Sequence, residues 1–451
     1  MRRPATLILA LVLPGTALAH AAEGGFVLLL PTRAYVAAGA ATVAVTVLLV
    51  ALLPARAAAG LFAARDLGPA GRLPGRGVLA VAAFLAIPAL IAAGLLGPHD
   101  PVRNLLPLAV WSVFWVALPV LHALFGDLWR VANPWRWPAA LARRAGLRPV
   151  LRLSAPVLHG IGLVSFLAFA GVLLAHPLPT DPERLAAMLA CYWGIHLGGA
   201  VLAGPRWLRR AEGFALLFAA YAALAPLARV GGRWRIGLPG WQLLTRPDPV
   251  PLATLFLIAM LAVGSFDGFN ETFTWVALLG LNPLEFPGRS AVVAPNLAGL
   301  VLAVPALVAV FAGTIALGLG LAGRTGVVAA VRALAPALLP IALGYHVAHY
   351  LPSSLVDAQN VAAALAETLH LGHVHVTTGF FNTLATVRVI WLSQAAAVVA
   401  GHVLAVLLGH ALALRHVGDP RAAALGQLPL SAFMVGYTLF GLWLLATPRG
   451  M

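Results

Sequence analysis

Stretches of about twenty apolar residues follow one another along nearly the whole chain, separated by short polar connections. A helix needs about 20 such residues to cross the hydrocarbon core of a bilayer, where its backbone must satisfy its own polar groups. The pattern predicts an all-α, polytopic integral membrane protein with about ten transmembrane helices. They are placed at 34–53, 78–96, 105–124, 156–175, 185–203, 252–266, 297–321, 333–351, 387–412 and 428–446. The lipid bilayer is therefore the first partner. A further stretch, 213–228, is apolar but only about sixteen residues long, with Arg206, Arg209 and Arg210 before it and Arg229, Arg233 and Arg235 after it. Basic residues at both ends predict an interfacial or re-entrant helix on one side of the membrane, not a span.

The N-terminus has the form of a secretory signal. Arg2 and Arg3 are followed by a short apolar run at 6–12, the breakers Pro14 and Gly15, and the A-x-A site Ala17-Leu18-Ala19. This pattern predicts cleavage after Ala19. The chain divides into a signal peptide, 1–19, and one multi-helix transmembrane domain, 20–451. The arginines orient the spans. Alternating them from an outer start brings the loops holding Arg56 to Arg76, Arg130 to Arg152, Arg206 to Arg210, Arg324, and Arg415 with Arg421 to one side. The positive-inside rule makes that side cytoplasmic. The expected location is a bacterial inner membrane, crossed many times, with both mature termini periplasmic.

Composition removes several function classes. Hydrophobic residues make up 61% of the chain and charged residues 10%. The formal charge of +15 is carried by arginine alone. These arginines lie in short loops between spans, not on one soluble face, so no nucleic-acid partner is expected. With no lysine, Schiff-base and lysine-nucleophile chemistry is excluded. The single cysteine, Cys191, permits no internal disulfide, cysteine-rich zinc site or iron–sulfur cluster. A metal must rest on His, Asp or Glu.

Ionisable groups near membrane depth are costly and point to function. Two span ends on the outer side carry them. Asp267 and Glu271 are four residues apart and share a helix face, as do His346 and His349, three apart. Two carboxylates and two imidazoles suit a divalent metal ion. Asp267, His346 and His349 are the expected ligands, with Glu271 a further ligand or general base; Asp267 and Glu271 are the candidate catalytic carboxylates. The same groups could equally cap helix ends by hydrogen bonding. The outer connections 267–296 and 352–386 are polar enough to carry a site. A mature N-terminal His20 offers a second metal possibility, a copper brace through its amine and ring, completed by His373 and His375. His196 and His402, near mid-depth, could ligate haem or make interhelical hydrogen bonds. His122, His159 and His410 lie towards the inner ends. Trp129, Trp135 and Trp137 read as an interfacial aromatic belt.

Several short patterns are shared with one family. They are His99-Asp100-Pro101 with Asn104-Leu105-Leu106-Pro107, and Phe125-Gly126-Asp127-Leu128-Trp129-Arg130 with Asn133-Pro134-Trp135-Arg136. Phe266-Asp267-Gly268-Phe269, His346-Val347-Ala348-His349-Tyr350, and Gly401-His402 with Gln427-Leu428-Pro429-Leu430 complete them. From about residue 97 onward the chain resembles the bacterial polytopic membrane proteins called fenitrothion hydrolase. That resemblance implies hydrolysis of an organophosphorus triester, a small-molecule substrate, but brings no active-site assignment. The first expectation is a metal-dependent hydrolase with its site at the periplasmic face. The alternatives are a permease or metal-handling membrane protein, and a haem-binding electron-transfer protein. A partner membrane protein is left unspecified.

Overall fold

The computed structural model describes residues 27–71, 75–286 and 288–449. The signal-peptide motif and His20 lie outside the described residues. Among the described residues, ten helices are long and apolar enough to cross a membrane. We number them with one short helix in chain order. They are α1 (Thr32–Ala51), α2 (Gly77–Leu96), α3 (Leu105–Phe125), α4 (Ala155–Ala175) and α5 (Pro182–Leu202). The short α6 (Gly213–Ala222) follows, then α7 (Pro251–Asn270), α8 (Arg289–Leu321), α9 (Val327–Thr368), α10 (Leu384–Val417) and α11 (Pro420–Ala446). The chain is an all-α, multi-pass membrane protein.

All ten expected spans are present, with two shifts of consequence. Helix α7 runs on to Asn270, so Asp267 is helical and buried one turn from its end. Helix α9 does not stop near 351. It passes through Pro352 and continues to Thr368, so the first half of the polar connection 352–386 is helix. A proline inside a helix costs the backbone bond to the carbonyl four residues back, here that of Ala348, which instead accepts from Gln394 Nε2 of α10 at 2.7 Å, while Ser353 and Ser354 both donate to the Tyr350 carbonyl, at 3.1 and 2.6 Å.

Contacts between loops assign the two faces. A small antiparallel sheet joins β1 (Arg65–Pro69), β3 (Arg233–Ile236) and β2 (Leu227–Val230), in the order β1-β3-β2. Asp66 and Arg233 pair across it at 2.5 Å. The loop after α1 and the loop before α7 therefore lie on one face, together with the Arg415–Asp248 ion pair. The opposite face holds the Arg103–Glu367 ion pair and the Thr272–Arg449 bridge. These pairs obey a strict alternation of ten crossings. That alternation leaves both ends of the segment 203–226 on the arginine-rich face.

Within that segment the chain enters the membrane and returns. Gly213 lies against Phe166, midway along α4, while the aromatic ring of Phe218 stacks on His122 near the arginine-rich end of α3. Ten residues of helix span about 15 Å, half a hydrocarbon core. The turn at mid-depth is made by Glu212, which caps α6. Its carboxylate accepts from Phe214 N (2.9 Å), Ala215 N (2.7 Å), Trp129 Nε1 (3.0 Å) and the Tyr192 hydroxyl. The re-entrant reading of 213–228 fits, but the helix is enclosed by its neighbours and does not lie flat on the surface. Trp129 and Trp135 are correspondingly not a belt. They pack inside, around the re-entrant turn, and Trp135 is 2% exposed.

Glycines set how near the site helices come. A Cβ at Gly344 of α9 would meet the Ala397 carbonyl at 2.5 Å, and one at Gly401 of α10 the Pro340 carbonyl at 2.5 Å. The backbones of α9 and α10 thus touch, as small residues allow in membranes. This contact fixes the rotation of α9 about its axis and, with it, the direction of His346 and His349.

Candidate metal centre

Helices α7 and α9 bring their polar ends together near the arginine-poor face. His349 Nε2 lies 3.4 Å from Asp267 Oδ2 and 4.0 Å from Glu271 Oε2. One ligand atom from each of Asp267, Glu271 and His349 falls within 4.8 Å of the others. Atoms bound at about 2.1 Å to one ion sit roughly 3–4 Å apart, so closing on a metal needs only a small movement. Asp267 and His349 are buried, whereas the Glu271 side chain is 30% exposed. The group is walled by membrane helices on one side and open on the other.

Second partners orient it. The Tyr350 hydroxyl donates to Asp267 Oδ2 at 2.5 Å and accepts from Trp115 Nε1 at 2.7 Å. Such a chain fixes the orientation of the Asp267 carboxylate. Arg449 donates to Glu271 Oε2 at 3.4 Å, and Arg289 is close enough to act on both carboxylates. Tyr345 stacks on the His349 ring, its hydroxyl lying over Gly268; a Cβ there would be 1.7 Å from that oxygen. The glycine in Phe266-Asp267-Gly268-Phe269 is thus a space requirement of the site. His349 Nδ1 is buried and makes no hydrogen bond.

His346 is not in this group. Its Nε2 faces the Val116 carbonyl at 3.3 Å, and its ring packs edge-on against Trp115. The cause is in α3, where Leu108–Ala117 forms a π-helix. Pro119 has no N–H for the carbonyl four residues back, and the helix widens there, presenting carbonyls to α9. His346 does line a small cavity of about 20 Å³ shared with Asp267, Tyr345, His349 and Tyr350. That is room for about one water molecule.

The other candidate histidines lie apart from the centre. His196 has both ring nitrogens engaged, with Trp207 Nε1 at 3.0 Å and Ser165 Oγ at 3.4 Å. His402 Nδ1 bonds the Val398 carbonyl at 2.9 Å. The His196 bonds are interhelical, whereas that of His402 is to its own helix and its buried Nε2 makes no hydrogen bond. His122, His159 and His410 bond to groups of their own helix or its neighbour. His373 and His375 are exposed in the loop after α9. Arg449, Tyr350 and Trp115 were not singled out by the sequence; only Tyr350 carries a local signal, as the tyrosine that ends His346-Val347-Ala348-His349-Tyr350. With the site and the fold described, the chain matches no protein-family model, no curated protein and no solved structure.

Proposed function

We propose that Asp267, Glu271 and His349 hold a divalent metal ion and that the protein is a metal-dependent hydrolase working at the arginine-poor face, the periplasmic one under the positive-inside rule. The convergence of three ligand atoms within 4.8 Å, two of them in a setting walled from lipid and water, carries this reading. A bound ion would lower the pKa of a water molecule and polarise a phosphoryl oxygen. Glu271, at the open side, would serve either as the third ligand or as the base that takes the water's proton. Arg449 and Arg289 supply positive charge for an oxygen that becomes negative at phosphorus. The resemblance to fenitrothion hydrolases favours a phosphotriester. Such a substrate is far larger than the one-water cavity, so it approaches from the Glu271–Arg449 side. His346 supports the wall of that cavity instead of ligating.

The test is elemental analysis of the purified protein together with turnover of a chromogenic phosphotriester. The expected result is about one ion per chain and hydrolysis that chelation abolishes. Metal without hydrolysis would remove the enzyme and leave the centre. Neither would remove both.

A second reading, a permease, is favoured by one observation. The re-entrant segment 203–226 and the 3-10 break Ala335–Leu338 in α9 are the interrupted backbone common in transporters. Metal uptake into proteoliposomes, without hydrolysis, would select it.

A further inference from the structure

A cavity of about 210 Å³ opens at the arginine-rich end of the bundle, on the far side from the metal centre. Its walls are apolar: Leu216 and Ala220 of α6, Ala253, Phe256 and Leu257 of α7, and Leu339 of α9. Its rim is the connection into α7, with Arg246 and Asp248, and Arg415 from the end of α10. The re-entrant helix forms one wall of this space: α6 runs from the mid-depth turn at Glu212 back to the arginine-rich face, and Leu216 and Ala220 on it face Phe256 and Leu257 across the slot.

The rim itself carries two arginines, Arg246 and Arg415, and one carboxylate, Asp248. Arg415 is held in place, its Nη1 donating to the carbonyls of Leu243, Leu244 and Arg246 at 3.1 Å each and its Nη2 to Asp248. Asp248 thereby pairs with Arg415 through its Oδ1. Arg246 donates to a neutral acceptor, Gln242 Oε1, at 2.9 Å. Asp127 acts on Arg246 only through space, with no ion pair between them among the described residues. A guanidinium with unused donors therefore stands over an apolar slot at the level of the membrane surface.

We infer that this cavity seats an anionic phospholipid, with its phosphate against Arg246 and one acyl chain against Leu216, Phe256 and Leu257. Guanidinium groups match phosphate oxygens two at a time, and basic pockets between transmembrane helices bind anionic head groups. A zwitterionic head group would bring its own cation to Arg246. A free phosphate would leave the apolar walls bare. The site is independent of any ion at Asp267.

Native mass spectrometry of the full-length protein, released from vesicles holding equal amounts of phosphatidylglycerol and phosphatidylcholine, tests this. Phosphatidylglycerol should be retained preferentially. Arg246→Ala should lower its retention about fivefold, the effect of one basic residue at a membrane surface, and Arg246→Lys should restore part of it. Ala253→Phe, which fills the slot, should lower retention without changing charge. Leu257→Trp serves the same end should the first fail to fold. Equal retention of both lipids by the wild type would overturn the inference. So would slot-filling variants that hold phosphatidylglycerol normally, since the lipid would then be a surface adduct. Displacement of the lipid by inorganic phosphate alone would show an anion site without a tail, and would overturn it too.

Discussion

Two buried carboxylate settings in this protein are built to opposite ends. Glu212, at the mid-depth turn, is wholly buried and accepts from four donors: two backbone amides, an indole and a phenol. Asp267 and Glu271 instead stand near one another, with His349 at 3.4 and 4.0 Å and one short bond from Tyr350. A buried polar group costs free energy until it is paired. Glu212 is paired on every side and makes a joint. The second setting gathers one ligand atom from each of two carboxylates and an imidazole within 4.8 Å of one another, with Arg449 donating to Glu271 at its edge, so its ligand atoms face one another as a cation requires. Burial of an acid in a membrane protein is thus no mark of a site; the convergence of ligand atoms around it is.

The comparison breaks most easily at Glu212. Glu212→Ala would strand the Phe214 and Ala215 amides, the Trp129 indole and the Tyr192 hydroxyl, at about 1–3 kcal/mol for each group left unsatisfied. The expected outcome is loss of folded, monodisperse protein, read by yield and size exclusion. Normal yield with an unchanged melting temperature would show that the turn does not depend on its cap. Glu212→Gln, which keeps an acceptor, should fall between.

At the other setting the order reverses: function goes and the fold stays. Asp267→Ala and His349→Ala should each lower metal content at least tenfold with little change in melting temperature. His346→Ala should act less, since its Nε2 faces Val116. Equal loss in His346→Ala and His349→Ala would mean that α9 rotates on binding metal. The topology behind the comparison can be checked in a Cys191→Ser background. Single cysteines at the exposed positions 206 and 232 should be labelled from the same side of the membrane; labelling from opposite sides would make α6 a span.

The smallest effect is expected at the sheet. The Arg233 guanidinium beside Asp66 holds its carboxyl below the usual value of 3.8. Its contribution is present above pH 3.8 and is lost as pH falls through the lower folded value. Both groups are solvent-exposed, so Asp66→Asn should shift acid stability only slightly. A marked loss at neutral pH would show that the sheet matters more than an exposed pair can.

The spans were legible because twenty apolar residues have few other uses, and the faces because arginines avoid lipid. The partnership of α7 with α9 was legible only as a possibility: a spacing of three or four puts two groups on one face without saying which face meets a neighbour. Asp267, Glu271 and His349 met, while the widened turn of α3 drew His346 away, and nothing local to His346 announces that. Glu212 does carry a local signal. It is an isolated acid directly before a glycine and an apolar helix, where a capping residue belongs. Arg449 sits at the far end of the chain, and its place beside Glu271 is a long-range contact with no local mark.

The neighbours of α1 carry a consequence for how the protein is made. The first span packs on α10 and α11, with Gly39 set against Leu442 and Val399. The strand that follows it, β1, waits for β3, which is translated only after four further spans. A ribosome therefore releases α1 into the membrane long before anything exists for it to join. During synthesis this helix must survive alone in lipid, and the last two helices close the molecule around the first. A nascent chain stopped before α10 should leave α1 accessible to crosslinking by lipid or by the insertion machinery, and completion of α11 should end that exposure.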